Sequence, residues 1–348
     1  MNLGIIGLPQ SGKSTLFAAL LRTRGQGEVR KPSRSEPHLA TIKVMDERVD
    51  FLTSLYEPKK TTYAQLEYLL PSQAVAALPG KAESQALTQV RPCDAILHVL
   101  RNFQGAGGVP ADPEADFRQM EEEMILSDLV VAEKRIERID LDAKRGKKPD
   151  EEELSLIKTS REMLERGLPL RLRPELASAQ ALRGFTLLSA KPELLIINND
   201  DEDEAMPDWK QRPDHVETLV VRARLEEEIA SMSPEEAREF IEAYHIERSV
   251  MDRIIQSSYR LLKLIAFFTV LNDEVRAWTI KEGLPALEAA GTVHTDMKKG
   301  FIRAEVLSFD DLKVYGSFHE AKQKGVVHLE GKEYVVKDGD IINFRFNV

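Results

Sequence analysis

GLPQSGKST, residues 7–15, is the stretch that decides the fold of this 348-residue chain. It has the pattern Gly-x-x-x-x-Gly-Lys-Ser, in which backbone N–H groups face phosphate oxygens and the lysine bridges the outer phosphates. The apolar run NLGIIG precedes it, and the helical pattern KSTLFAALLR follows it. Strand, glycine loop and helix in this order predict a phosphate-binding P-loop.

The loop also supplies most of the candidate binding residues. The hydroxyl next to the lysine is a ligand for Mg²⁺ in such loops, so Ser14 is the predicted metal ligand. The predicted nucleotide contacts are Gly7, Pro9, Gln10, Ser11, Gly12, Lys13, Ser14 and Thr15.

Composition narrows the class of protein. The formal charge of −10 gives no support for generic nucleic-acid binding, although a local basic face remains open. The single cysteine, Cys93, excludes a disulfide framework and a cysteine metal cluster. No apolar run of about 20 residues is present, and the N-terminus lacks the basic region of a signal peptide. We therefore expect a cytoplasmic protein without a membrane partner.

Further strands are predicted by short apolar runs. Most are near-continuous, as in a parallel sheet covered by helices on both faces. They are AQLEYLL (64–70), AILHVL (95–100), ELLIIN (193–198) and ETLVVR (217–222). The pattern predicts a doubly wound α/β domain over residues 1–114 and 169–264.

Residues 115–168 interrupt that domain with long charged helices. Leu129, Ala132, Ile136 and Ile139 follow a spacing of three and four. The segment KRGKKPDEEE (144–153) then predicts a turn, and Asp150 within it is the predicted N-cap of the next helix. Because sheet strands lie on both sides, this segment is predicted to be an inserted antiparallel helical hairpin. It is either a solvated spacer or an arm that contacts a large partner.

The last part of the chain has a different pattern. SPEE (233–236) predicts a capped helix, and a helix at 248–264 follows. Short alternating strands then predict a separate β-grasp-like or barrel-like domain at 265–348. They are VRAWTI, FIRAEVLSF, VVHLEG, EYVVKDGD and IINFRFNV.

Two segments of this last domain carry a family resemblance. EVRAWTIKEGLPALEAAGTVHTDMKKGFIRAEVLSFDDL (274–312) and LEGKEYVVKDGDIINFRFNV (329–348) resemble the YchF subfamily of Obg-like P-loop NTPases, whose last domain is a TGS domain. The resemblance is dense over 265–348 and thinner over the rest of the chain. It implies a P-loop NTPase domain with a helical arm and a C-terminal TGS domain. It also implies GTP or ATP with Mg²⁺ as ligands, and action on or near ribosomes.

The chain departs from that family at its switch elements. Where the family has Asp-x-x-Gly after its third strand, this chain has Leu70-Pro71-Ser72-Gln73. The threonine expected before Glu36 is replaced by Arg34, with a serine on either side. No catalytic residue is assigned, because His98 is expected to be packed in its strand and only proximity recommends His38. We expect slow hydrolysis of the γ-phosphate, or none.

The resemblance also places the base-recognition element at Asn198-Asn199-Asp200-Asp201. Asn198 with Asp201 favours guanine, whereas Asn199 with Glu202 matches the ATP-tolerant variant of the family, and a solvated acidic loop is the third interpretation. The last base-contact element, Ser-Ala-Lys in the family, aligns with Arg222-Ala223-Arg224. The literal SAK at 189–191 precedes the wrong strand.

Two functions remain from the sequence. The first is a YchF-like purine-nucleotide-binding regulator associated with the ribosome or RNA through the TGS domain and the arm. The second is a nucleotide-independent pseudo-NTPase adaptor that acts through the same two parts. A metabolic P-loop kinase is a third hypothesis, for which no acceptor-site residues are identified.

Overall fold

The computed structural model describes residues 1–22, 28–29, 36–72, 81–210, 212–243, 250–271 and 273–347. The chain divides into two compact units, one of residues 1–42 with 67–254 and one of residues 43–66 with 255–348. No helix of the described ranges is long and apolar enough to cross a membrane. The domain boundaries given by the sequence stay a prediction.

A seven-stranded sheet organises the first unit, in the order β2-β3-β5-β1-β6-β7-β8. The strands β5, β1, β6, β7 and β8 pair in parallel, and β2 pairs with β3 in antiparallel. Their bounds are β1 Asn2–Ile6, β2 Glu28–Val29, β3 His38–Val44, β5 Ala64–Leu70, β6 Ala95–Asn102, β7 Glu193–Asn199 and β8 Glu217–Val221. The predicted doubly wound α/β sheet is therefore confirmed, and the carboxyl ends of its parallel strands meet at one edge.

Helices follow the strands as expected for this architecture. The capping box before α8 is present, since the Ser233 hydroxyl accepts from the Glu236 amide and the Glu236 carboxylate accepts from the Ser233 amide. The helix bounds are α1 Lys13–Arg22, α3 Lys81–Val90, α4 Pro113–Lys144, α5 Glu151–Glu165, α6 Pro174–Ala177, α7 Ala223–Ile229, α8 Pro234–Ala243 and α9 Val250–Leu261.

The helices α4 and α5 form the inserted hairpin, called the arm below. Asp112 caps α4 and Asp150 caps α5, each by accepting from backbone N–H groups of the first turn. Gly146 takes φ +86° in the connecting turn, a conformation that favours glycine. The two helices bury a shared apolar seam, which includes Ala132, Ile136, Ile139, Ile157, Met163 and Leu164.

Buried charges fasten the arm to the sheet. Arg171 forms an ion pair with Glu121 of α4 at 2.7 Å and a second one with Glu193 of β7 at 3.0 Å. The Glu193 carboxylate also lies 2.8 Å from Nδ1 of His98 in β6. Each buried charge has an opposite partner, and removing one partner would leave the other charge buried and unpaired. A second buried charge between α4 and the rest of the unit is Asp128 of α4. Its carboxylate is fully buried and accepts hydrogen bonds from Arg91 and from the backbone amides of residues 188 and 189.

A six-stranded sheet organises the second unit, in the order β12-β11-β13-β9-β10-β4. Its core is aromatic and aliphatic, with Phe267, Ile280, Phe301 and Phe344 among the buried members. The strand bounds are β4 Lys60–Thr62, β9 Leu264–Leu271, β10 Glu274–Lys281, β11 Phe301–Ser308, β12 His328–Glu330 and β13 Asp340–Phe346. The helix bounds are α2 Glu47–Tyr56, α10 Ala286–Val293, α11 Thr295–Lys299, α12 Phe309–Tyr315 and α13 Phe318–Gln323.

Two expectations for this unit were wrong. The segment EYVVKDGD, 333–340, is not a strand: Val335 forms only an isolated bridge with Pro285, because a turn at Gly339 (φ +90°) interrupts the alternating pattern. The helix expected at 248–264 ends at Leu261, and LIAFFTVL is the strand β9, which pairs with β10 along its whole length.

A buried carboxylate lies on the β11 strand of this unit. Glu305 is 1 % exposed and accepts from Lys322, Arg345 and Asn343. Burial alone would raise the pKa of this carboxyl, but the hydrogen bonds from its two basic partners hold that pKa below its usual range.

Candidate nucleotide-binding site

The predicted P-loop joins the end of β1 to the start of α1. Gly7 has φ +146° and Gly12 has φ +91°, conformations that side chains with a Cβ rarely adopt. Space also requires glycine there, because a Cβ at Gly7 would lie 2.3 Å from the Val99 carbonyl oxygen and a Cβ at Gly12 would lie 2.1 Å from Asn198 Nδ2. Gln10 has φ +64° between them. The loop therefore curls tightly at the carboxyl edge of the sheet.

Lys13 lies across the concave side of this loop. Its ammonium donates to the carbonyl oxygens of Gly7 at 2.9 Å and Leu8 at 2.6 Å, and lies 3.5 Å from Ser11 Oγ. This geometry holds a positive charge against the loop at the N-terminus of α1. Such an arrangement attracts a phosphate group.

A cavity of about 600 Å³ opens beside the loop. Among the described residues that line it, Lys13 is the only charged one. The loop side is formed by Gly7, Pro9, Gln10, Gly12, Lys13, Ser14 and Thr15. The opposite wall is largely apolar and is formed by Ile5, Ile6, Pro71, Ser72, Ala86, Leu87, Phe103 and Met120. All predicted phosphate contacts except Ser11, which is buried beneath the loop, thus lie on the cavity surface.

The end of β5 forms part of the apolar wall. Pro71 and Ser72 line the cavity and belong to the segment Leu70-Pro71-Ser72-Gln73, which the resemblance aligns with the family's Asp-x-x-Gly. The Ser72 hydroxyl accepts from Gln89 Nε2 at 2.7 Å, and the Ser72 amide donates to Gln89 Oε1 at 2.8 Å. Gln73 and Arg34 with its flanking serines fall outside the described residues. Within the described lining, no carboxylate or imidazole is placed to orient a water molecule.

Asn198 connects the predicted base-contact elements to the P-loop. It is 4 % exposed, its Nδ2 donates to the Ser11 carbonyl at 3.1 Å, and its Oδ1 accepts from the Ala223 amide at 3.0 Å. One side chain thus joins the P-loop, the end of β7 and the first residue of α7. The contact with Ala223 also places the segment Arg222-Ala223-Arg224 next to the end of β7.

Asp201 lies in the loop after β7. Its carboxylate is 3.6 Å from Arg224 Nε, and its carbonyl oxygen accepts from Arg222 at 3.3 Å. Asp201 is therefore near the Arg222-Ala223-Arg224 element but does not line the cavity described above.

The remaining candidates have structural partners. His98 is fully buried against Glu193 and stacks on Phe117, with ring centroids 5.8 Å apart. His38 is exposed at the start of β3 and packs edge-on against Phe17. In the literal SAK segment, the Ser189 hydroxyl donates to Asp128 at 2.8 Å and Lys191 donates to the Cys93 carbonyl. These side chains stabilise the unit and do not line the cavity.

The loop after β6, at the same edge of the sheet, was not predicted from the sequence. Arg101 donates to the carbonyl oxygens of Phe103, Val109 and Pro110, and so fixes the loop after β6. A Cβ at Gly105 would lie 2.6 Å from the Arg101 guanidinium. The position of this loop directly after a strand of the parallel sheet was the available signal, because ligands bind at the carboxyl ends of such strands.

Comparison with known proteins identifies the family. "Ribosome-binding ATPase YchF" of Bacillus subtilis is 36% identical over 369 residues, which cover 100% of both chains. The chain belongs to the YchF family. The protein of the same name in Escherichia coli O157:H7 is 35% identical and covers 99% of each chain. The family model YchF-GTPase_C, described as a protein of unknown function (DUF933), matches residues 264–347.

The YchF fold is confirmed by comparison with solved structures. The structure of the Schizosaccharomyces pombe YchF GTPase superposes with a TM-score of 0.85 at 27% identity, over 99% of this chain and 97% of the other. As a member of the YchF family, the chain has the P-loop sheet with an inserted helical arm and a C-terminal domain.

The donor set of the site fits a magnesium-bound phosphate group. Ser14 offers one hydroxyl on the cavity surface next to Lys13, and Mg²⁺ normally completes its octahedron with phosphate oxygens and water. The ion would neutralise charge on the outer phosphates. In the described part of the chain no group of three or more histidine, cysteine or acidic residues forms a separate metal site.

Proposed function

We propose that the chain binds GTP or ATP with Mg²⁺ and uses the bound nucleotide to regulate its association with the ribosome. The observation that carries this proposal is the P-loop itself, with Lys13 on its concave side and Asn198 joining it to the base-contact loops. The printed names of the relatives, a ribosome-binding ATPase and a GTPase, support a nucleotide and a ribosome as partners.

The P-loop residues have distinct proposed roles. The backbone N–H groups from Gly7 to Thr15, except at Pro9, and the Lys13 ammonium hold the phosphates. The Ser14 hydroxyl is the protein ligand of Mg²⁺. Asn198 positions the loop, and Asp201 faces the base. The domains at 1–114 with 169–264 bind the nucleotide, whereas the arm at 115–168 and the TGS domain at 265–348 contact the ribosome or its RNA in the cytoplasm.

Hydrolysis is proposed to be slow or absent. The cavity wall opposite the loop carries Pro71, Ser72, Leu87 and Phe103, and none of these side chains is a general base or a metal-directed carboxylate. Losing one preorganised stabilising group typically lowers the rate by about 10²–10³. The presence of bound nucleotide, rather than rapid hydrolysis, is therefore the proposed regulatory signal.

Calorimetry tests the nucleotide part. GTP, GDP and ATP are titrated into the full chain with Mg²⁺, beside Lys13→Ala and the control Lys324→Ala, which removes an exposed lysine of the second unit. We expect binding by wild type and control, and at least about a hundredfold weaker binding by Lys13→Ala, since a charge-assisted contact to phosphate is lost. Equal affinity of Lys13→Ala and wild type would contradict the assigned role.

Cosedimentation with ribosomes tests the second part. We expect the bound fraction to differ between the triphosphate and the nucleotide-free chain, and to lose that difference in Lys13→Ala. The apolar wall favours one alternative, a nucleotide-independent adaptor. That alternative predicts equal cosedimentation under all conditions, together with no nucleotide binding by wild type.

A further inference from the structure

Two arginines face each other on the sheet of the second unit. β11 and β13 are antiparallel, and their register places Arg303 directly opposite Arg345. The next residues in register, Ala304 and Phe344, belong to the buried core, so the two arginines point to the opposite face of the sheet. Side chains paired in this way have Cβ atoms about 4.5–5.5 Å apart, and like charges at that distance destabilise a sheet.

The buried carboxylate of Glu305 organises cations on the same face. Its Oε1 accepts from Lys322 Nζ at 2.7 Å and from Arg345 Nη2, and its Oε2 accepts from Asn343 Nδ2 at 3.1 Å. The side chains of Lys322 and Arg345 are nevertheless 48% and 53% exposed. Glu305 therefore holds two cations in place and leaves their remaining N–H donors accessible to another acceptor.

Arg303 adds positive charge that Glu305 does not neutralise. It is exposed on β11, and in the part of the chain that the structure describes no carboxylate forms an ion pair with it. Three cationic side chains thus lie around one carboxylate, a net charge of +2 in a chain whose formal charge is −10. Leu329, opposite Glu305 on β12, is 57% exposed, so this side of the face is open to solvent. Folding alone does not account for the excess charge, because paired like charges lower stability.

We propose that Arg303, Lys322 and Arg345, called the basic face below, bind backbone phosphate groups of RNA. A guanidinium donates two parallel hydrogen bonds to a phosphate, so one phosphate between the two arginines would exchange their repulsion for charge-assisted contacts. RNA repeats this charge at every nucleotide, which suits three neighbouring cations better than the independently moving carboxylates of an acidic protein segment. The inference rests on the proposed association with the ribosome and adds the surface and the chemical group that it recognises.

Salt-dependent binding to protein-free ribosomal RNA tests the basic face. Association constants are measured by filter binding for the nucleotide-free full chain at about 50 to 200 mM KCl. We expect Arg303→Gln to bind about tenfold more weakly than wild type, since one charge-assisted contact is lost. The slope of log K against log[KCl] should become shallower by about 0.7–0.9, which is the contribution of one phosphate contact.

A matched control removes the same charge elsewhere in the second unit. Lys281 is exposed on β10, which pairs with neither β11 nor β13. Lys281→Gln should keep the slope of wild type and stay within about twofold of its affinity, because a charge away from the contact adds little to phosphate binding.

Melting temperatures separate RNA binding from folding. Arg303→Glu places an opposite charge across from Arg345, so we expect the melting temperature to rise by about 2 °C while RNA binding weakens by about a hundredfold. Arg303→Gln should melt no lower than wild type, because it removes a repulsion. Stability and affinity are therefore expected to change in opposite directions, which a purely structural arginine would not show.

Several results would overturn the inference. An unchanged affinity and slope in Arg303→Gln would show that this arginine contacts no phosphate, and an equal loss in Lys281→Gln would show a general effect of charge. A lower melting temperature of Arg303→Gln would show a structural role. If wild type bound ribosomes but not protein-free RNA, RNA would be excluded as the occupant and the proposed function would stand. If wild type bound neither, the ribosome part of the proposed function would fail together with the inference.

Discussion

Substituting Gly12 by alanine tests the packing at the centre of the P-loop. The new Cβ would lie 2.1 Å from Asn198 Nδ2, closer than non-bonded atoms approach, so the Asn198 side chain must move. That movement breaks its hydrogen bonds to Ser11 and Ala223. The substitution therefore acts on three segments of the first unit at once.

The expected magnitude follows from these contacts. Two buried hydrogen bonds contribute about 2 kcal/mol, and alanine at φ +91° costs about 1–2 kcal/mol more. Reduced freedom of the unfolded chain returns about 0.5–1 kcal/mol. We expect a net loss of about 3 kcal/mol in the free energy of unfolding, which shifts a urea midpoint by about 1 M when m is about 3 kcal/mol/M.

The assay is urea denaturation of the full chain followed by circular dichroism, with Gly184→Ala as the matched control. Gly184 is exposed, and a Cβ there meets no atom within 4 Å. The control should stay within about 1 kcal/mol of wild type. A loss below about 1 kcal/mol in Gly12→Ala, or an equal loss in both variants, would refute the reasoning.

Three further predictions concern stability, reactivity and pH. Asp128→Ala should lower the free energy of unfolding by about 3–5 kcal/mol in the same urea assay, because it leaves Arg91 without its buried partner; a loss near zero would contradict this. Burial raises the pKa of the Cys93 thiol to about 11, so about one thiol in a thousand is ionised at pH 8. Ellman's reagent should therefore label the native chain at least about a hundredfold more slowly than the urea-unfolded chain, and similar rates would disprove the shift. The pKa of Glu305 is lowered in the folded chain despite burial. The ionised carboxylate therefore stabilises the folded state above the ordinary pKa of about 4.3, and this contribution is lost as the pH falls through the pKa of the folded chain. Melting temperatures between pH 6 and 3 should show this loss in wild type and a weaker one in Glu305→Gln; parallel curves would be the adverse result.

The elements that the sequence predicted share strong local signals. The P-loop has a fixed spacing of glycines and lysine between a strand and a helix, and the arm has an apolar stripe with Asp150 as a cap. The central strands are apolar throughout because helices cover both faces of a parallel sheet. Each signal lies within a short stretch, so one sequence was sufficient.

The secondary-structure predictions were wrong where contacts with distant residues determine the conformation of the chain. β9 follows α9 almost directly, and an apolar run of that length does not distinguish a buried strand from the end of a helix. Conversely, EYVVKDGD alternates like a strand, but Tyr334 and the Lys337 amide bind Asp340 and shape a turn there. Tertiary contacts outweighed the local pattern in both segments.

The site shows the same division. The candidate phosphate contacts were predicted from the P-loop motif, and they stay a prediction. By contrast, the pair Asn-Asn does not show in sequence which residue contacts Ser11 and which contacts Asp203. That distinction depends on which way each side chain leaves β7. The loop after β6 could have been suspected from its position at a strand end, but the contacts of Arg101 with the carbonyl oxygens of Phe103, Val109 and Pro110 could not be predicted from the sequence.

The ionic fastening between the arm and the sheet has a consequence for engineering. Removing residues 115–168 would delete Glu121 but leave Arg171, Glu193 and His98 behind, stranding charge where a partner used to be. A shortened chain would need Arg171 and Glu193 replaced by apolar residues of similar volume to keep its sheet intact. The arm therefore cannot be removed alone, and moving it to another sheet would require moving Arg171 and Glu193 with it.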